Sequence, residues 1–247
     1  MRFAPAVRFF LTCTALCLAL AVSATQAAIV TVPLIDYRLD YQLHQIVAVD
    51  SGWSVTYDAD IVDISVDQVS LRGDYLLIEI SKDFLLPPDP QTGQFPAILI
   101  DFTQRLSDAQ TVNTIRIADE SITNQTGVPW TDYHWEVLDH GNAWFDVAAS
   151  TTFGLQPWPH FQRQSWVVRP VAPNRADALN VFLGIVMPGT SYFPGTDASD
   201  LVIRTDLASS AEPLSFTFKQ YPTPEPATIG LLGLGLAGLA ARRRRRG

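Results

Sequence analysis

Cysteine is nearly absent from this chain, and where it occurs it does not serve the body. Only Cys13 and Cys17 are present among 247 residues, and both fall within the first 28. The body that follows can form no disulfide and offers no thiol nucleophile, so packing must hold it together. Basic residues are scarce as well. Setting aside Arg2, Arg8 and Arg242 to Arg246, ten basic residues face 24 acidic ones in the body, a net charge of −14. Nucleic acid is excluded as a partner, because its binding depends on lysine and arginine neutralising phosphates. The charge instead suits a solvated extracellular surface.

Other absences narrow the function. There is no G-x-S-x-G elbow, phosphate loop or H-E-x-x-H helix. Four histidines (His44, His134, His140 and His160) leave few general bases. A body without enzymatic activity and without a cofactor is therefore expected. The enzymatic alternative is glycoside hydrolysis, which needs only two carboxylates at a suitable separation. Gly233, Gly235 and Gly238 match G-x-G-x-x-G in letters, but a nucleotide fingerprint needs a strand before it and a βαβ unit around it. No internal repeat is visible, which argues against a propeller or solenoid.

What is present reads as strands. Seventeen prolines leave little room for long helices. Apolar and β-branched runs recur at Ile29 to Leu39, Trp53 to Tyr57, Ile61 to Val69, Tyr75 to Ile80, Phe95 to Phe102 and Thr111 to Ile117. They continue at Tyr133 to Leu138, Trp144 to Val147, Trp166 to Arg169, Leu179 to Val186, Leu201 to Leu207 and Leu214 to Lys219. Alternation from Ile61 to Asp67 puts Asp63, Ser65 and Asp67 on one face. The expectation is an all-β fold: one β-sandwich of jelly-roll type over residues 29–220. Surface loops are expected at Leu86 to Gln94, Gln156 to His160 and Pro188 to Thr196, with a tight turn at Arg72-Gly73-Asp74.

The N-terminus has the layout of a secretory signal peptide over residues 1–28. Arg2 and Arg8 precede an apolar stretch from Phe9 to Val22, and small residues from Ser23 to Ala28 point to cleavage after Ala27 or Ala28. The apolar stretch is shorter than the ~20 residues a spanning helix needs.

The C-terminal segment, residues 221–247, is the most specific feature. Tyr221 to Pro226 reads as a proline-rich linker. Pro224, Glu225 and Pro226 are followed by an apolar run from Ile229 to Ala241, then Arg242, Arg243, Arg244, Arg245 and Arg246. This order resembles the PEP-CTERM sorting signal of Gram-negative bacteria. The resemblance implies recognition by an exosortase, a membrane transpeptidase that cuts near the Pro-Glu-Pro, in cells that produce exopolysaccharide. The thirteen apolar residues give a helix of about 20 Å, short of the ~30 Å hydrocarbon core. Arginines beyond it stay cytoplasmic and leave the body on the far side. The implied course is export, transient anchoring in the inner membrane, then release to the cell surface or beyond, with exosortase and the secretion machinery as partners. Two body stretches, Ile117 to Ile122 and Gly127 to Trp135, are similar to stretches in other PEP-CTERM proteins of unassigned function.

Three candidate sites stand in the body. Asp132, His134 and Glu136 would share one face of a strand, about 7 Å apart, and could ligate a metal if His140 came close. Asp58, Asp60 and Asp63, with Asp67 beyond, form a carboxylate cluster of the kind that binds calcium in sandwich loops. Their arrangement does not match the EF-hand spacing. A solvated polar face is the competing account of both. Trp130, Trp158 and Trp166, in or beside loops, are the residues on which polysaccharide could stack. A carbohydrate-binding module is thus the main alternative function, against which stands the tendency of tryptophan to be core.

Overall fold

The computed structural model describes residues 28–40, 42, 45–138, 141–155, 161–195, 200–207 and 213–224. The expected signal peptide through Ala27, the tail beyond Pro224 and residues 156–160, where a loop is expected, lie outside these residues. Among the described residues there is no α-helix, and no helix is long and apolar enough to cross a membrane. The expected apolar helix 229–241 falls outside them.

The described residues form thirteen strands in chain order. They are β1 (Ile29–Asp40), β2 (Gln45–Asp58), β3 (Val62–Arg72), β4 (Tyr75–Phe84), β5 (Ile98–Gln104), β6 (Thr114–Asn124) and β7 (Trp130–Leu138). After these come β8 (Ala143–Asp146), β9 (Arg163–Arg169), β10 (Ala172–Phe182), β11 (Ser191–Tyr192), β12 (Leu201–Thr205) and β13 (Ser215–Pro224). Each run read from the sequence overlaps one of them. Only the two-residue β11 was unforeseen; it lies in the Pro188 to Thr196 loop, on the edge of β6.

The all-β class holds, but the ladders do not divide into two sheets. They run in one path, β1-β2-β5-β13-β7-β10-β8-β12-β6-β4-β3, with β9 added to β10 and β11 to β6. All pairs are antiparallel except β4 with β6. The path curls until its two ends meet. Leu71 on β3 donates its backbone N–H to Asp36 on β1 at 3.0 Å, and the Tyr57 hydroxyl on β2 donates to the Ile64 carbonyl on β3 at 3.2 Å. Strand twist starts such a curl, and register shifts at Pro33/Ile35, Val66/Gln68 and Glu79/Ser81 add the local bends.

One core fills the roll, and period-two alternation decides who enters it. β5 sends Ile98, Ile100 and Phe102 inward and Leu99, Asp101 and Thr103 outward. On β3, Val62 and Ile64 are buried while Asp63, Ser65 and Asp67 face water, as the sequence pattern requires. Aromatic rings dominate the centre: Trp130 packs edge-on to Phe84 at 5.1 Å, and Trp135 on Phe153 at 5.3 Å. Trp130 is fully buried and Trp166 half-buried against this cluster, edge to face with Phe145. Neither forms an exposed stacking strip for sugar. Trp158 lies outside the described residues.

The linker expectation needs correcting at its start. Tyr221 to Pro224 continue β13, pairing with His134 to Trp130 on β7. Beyond Gln220 the strand β5 no longer pairs with it. A strand flanked on one side only has room for residues without an N–H, which is why Pro222 and Pro224 fit there.

Candidate functional site

On β7 the predicted alternation is realised. Tyr133, Trp135 and Val137 are buried, while Asp132, His134 and Glu136 share the outer, half-buried face. Two of those three are already committed to neighbours. His134 Nδ1 lies 2.6 Å from Asn180 Oδ1, and its ring stacks on Tyr221 with centroids 4.7 Å apart. Glu136 accepts from the Tyr221 hydroxyl at 2.6 Å and from Lys219 at 2.9 Å. Burial pushes the Glu136 carboxyl up. The Tyr221 and Lys219 hydrogen bonds, with the Lys219 and His134 charges, outweigh it and hold the group below its ordinary value. His134 keeps Nε2 without a hydrogen-bond partner. His140 lies outside the described residues.

The aspartate cluster is a turn rather than a cage. Asp58 ends β2 and accepts the Asp60 backbone N–H at 2.9 Å. Asp60 accepts the backbone N–H of Ala28 at 3.2 Å. Asp63 sits on β3 opposite Asp83, pointing to water. Asp67 accepts from Ser65 and Ser81. Among the described residues, no group of three or more His, Cys, Asp or Glu side chains is placed to hold a metal ion.

The most elaborate polar constellation is one the sequence reading missed, and it lies in the centre of the core. Lys82 on β4, Glu120 on β6 and Gln220 on β13 are all fully buried. The Lys82 ammonium donates to Glu120 Oε1 and to Gln220 Oε1, the latter at 2.8 Å. Gln220 Nε2 donates to Glu120 Oε1 at 3.1 Å. The Tyr133 hydroxyl donates to Gln220 Oε1 at 2.9 Å, and Trp135 Nε1 to Glu120 Oε2 at 3.1 Å. Burial pushes the Lys82 amine well below its ordinary value, and burial with the neighbouring Tyr192 pushes the Tyr133 hydroxyl well above its own. A signal was present in the sequence: Lys82 is in phase with Ile80 and Phe84, Glu120 with Ala118 and Ile122, and Gln220 with Phe216 and Phe218.

The predicted turn and one buried amide resolve simply. Arg72-Gly73-Asp74 is the tight turn between β3 and β4, with Gly73 at φ 66°. Asn124 is buried, with its Nδ2 donating to the carbonyls of Val128 and Val186.

The sorting residues meet the fold at its last strand. Pro224 closes β13 opposite Trp130, and its carbonyl accepts from the Thr131 hydroxyl at 3.4 Å. Glu225, Pro226 and Arg242 to Arg246 lie outside the described residues. Residues 222–246 match the family model of the PEP-CTERM protein-sorting motif. The tail is thus that of an exosortase substrate, and it indicates export and sorting to the cell surface. Comparison with curated proteins finds no match, and comparison with solved structures finds none either.

Proposed function

We propose that this is a non-enzymatic surface or extracellular-matrix protein, exported behind a signal peptide, held briefly in the inner membrane by its tail and released by an exosortase. The single observation that carries the reading is the sorting motif at residues 222–246, which starts inside the last strand of the body. The rolled sheet serves, on this reading, as a jelly-roll-like display domain whose negative surface keeps it solvated among anionic polymers.

Intact mass of the protein recovered from cell envelope and medium tests it, alongside a variant carrying Pro224→Ala, Glu225→Ala and Pro226→Ala. The expected mature chain ends within or just after the Pro-Glu-Pro, and the variant loses that form. An intact tail in both proteins would make the segment an ordinary anchor and remove the exosortase from the account.

Polysaccharide binding is the second reading, and one feature favours it. An open cleft of about 750 Å³ is lined by Asp101 and Asp177 together with the hydroxyls of Thr103, Ser215 and Thr217. Carboxylates and hydroxyls beside an apolar floor of Val137 and Phe216 are the groups that grip sugar hydroxyls. Retention on the producing cell's own exopolysaccharide, lost on Asp101→Ala, is its test.

A further inference from the structure

Three strands from distant parts of the chain bring Lys82, Glu120 and Gln220 to one point in the buried core. The chain has two lysines. Lys219 stands on the outer face against Glu136. Lys82 is wholly buried, an expensive place for an ammonium. A buried ion pair is a weak source of stability by itself, because desolvating both charges offsets their attraction. The constellation around Lys82 has a more specific shape. Burial drives the amine toward its neutral, nucleophilic form. Glu120 Oε1 touches two nitrogens, the Lys82 amine and the Gln220 amide nitrogen. The Gln220 carbonyl oxygen receives the Tyr133 hydroxyl at 2.9 Å. Trp135 fixes the second Glu120 oxygen, and the Phe218 ring, 5.8 Å from Lys82 Nζ, walls the site.

We propose that Lys82 and Gln220 become joined by an intramolecular isopeptide bond, formed by the protein's own core with Glu120 as proton carrier. The pair first shares its proton, leaving a neutral Lys82 amine beside a protonated Glu120. The amine nitrogen attacks the carboxamide carbon of Gln220. Charge that develops on Oε1 is met by the Tyr133 hydroxyl. Glu120 gives its proton to the departing amide nitrogen and takes one from the attacking nitrogen. The C–Nε2 bond breaks, a C–Nζ bond replaces it, and one ammonia leaves. No oxidant, metal or outside reactant is needed; the ammonia takes up the proton Glu120 still holds and departs as ammonium, which returns Glu120 to its carboxylate. Fixed neighbours replace the random encounter that makes amide exchange slow in water.

The bond would give a body without disulfides a covalent staple. It would tie β4, through the buried Lys82, to β13, the strand that runs directly into the sorting motif. Any pull on the membrane-held tail passes through β13 first.

Denatured intact mass of the full chain, followed by tryptic peptide mapping, tests the proposal. The expected body mass is lower than its sequence by one ammonia. Trypsin is expected to spare Lys82, leaving the Gly73 to Arg105 peptide joined to the one that begins at Gln220. Glu120→Gln, which keeps the volume and removes the proton carrier, is expected to restore the full mass and cutting at Lys82. A wild-type body at its sequence mass would overturn the proposal. So would loss of one water with Lys82 joined to Glu120, loss of ammonia without the joined peptides, or a Glu120→Gln protein that still links.

Discussion

Leu71 donates its backbone N–H to the Asp36 carboxylate, 3.0 Å away, and in doing so closes the seam between the two ends of the sheet. Asp36 is buried, 6% exposed, on a strand that otherwise presents an unpaired edge. Open strand edges invite pairing with other chains, and proteins cover or charge them. Asp36→Ala leaves the Leu71 N–H without its acceptor and uncovers the seam. The expected loss is about 1–3 kcal/mol, the cost of a buried polar group left unsatisfied. Asp36→Asn keeps an acceptor oxygen and should lose less. Urea unfolding measures the difference, and sedimentation should show self-association in the alanine variant before the asparagine one.

Much of this architecture can be read in the residues, because a strand's alternation is local. Ile98, Ile100 and Phe102 announce their inward face without reference to any other strand, and β7 announces Tyr133 and Trp135 against His134 and Glu136 in the same way. Convergence is another matter. Lys82, Glu120 and Gln220 each break an apolar phase in their own strand, yet only the strand order, which sets β4 beside β6, and the curl that carries β13 across the core unite them. That order depends on where the sheet bends, and the register shifts on β3 and β4 leave no mark in composition. Seam closure was hidden for the same reason, since Asp36 and Leu71 are 35 residues apart. The proline-rich stretch after Gln220 misled differently. Proline argues against a central strand, and here β13 has lost one neighbour by the time Pro222 arrives.

Glu136 supplies a pH-dependent element. Its folded value lies below the ordinary carboxylate value, so its contribution is present above the unfolded value of about 4.3 and fades as pH falls through the depressed folded one. Burial, then the hydrogen bond to Glu136, raises the Tyr221 hydroxyl far above its ordinary range, so it remains a donor throughout. Tyr221→Phe keeps the ring that stacks on His134 and removes the donor. The expected cost at neutral pH is about 0.5–1 kcal/mol, the lower part of the hydrogen-bond range because solvent screens a partly exposed group. The gap between the two proteins should narrow as unfolding is measured at progressively lower pH through the acid range. A gap that stays constant there would assign the loss to packing instead.

Where the tail can be cut follows from the end of β13. Tyr221 binds Glu136 and stacks on His134, Pro222 is buried, and Pro224 still pairs with Trp130. Cleavage anywhere from Pro224 onward leaves those contacts whole. Cleavage after Gln220 removes a hydrogen bond, a ring stack and a buried proline from the sheet at once. Recombinant bodies ending at Pro224 and at Gln220 separate the two cases. The first is expected to melt like the protein with its tail. The second should lose about 2 kcal/mol, which for a domain of this size lowers the melting temperature by about 4–8 °C. Equal melting of the two would mean that the last four residues of β13 hold nothing, and that the fold places no limit on how far upstream the tail may be severed.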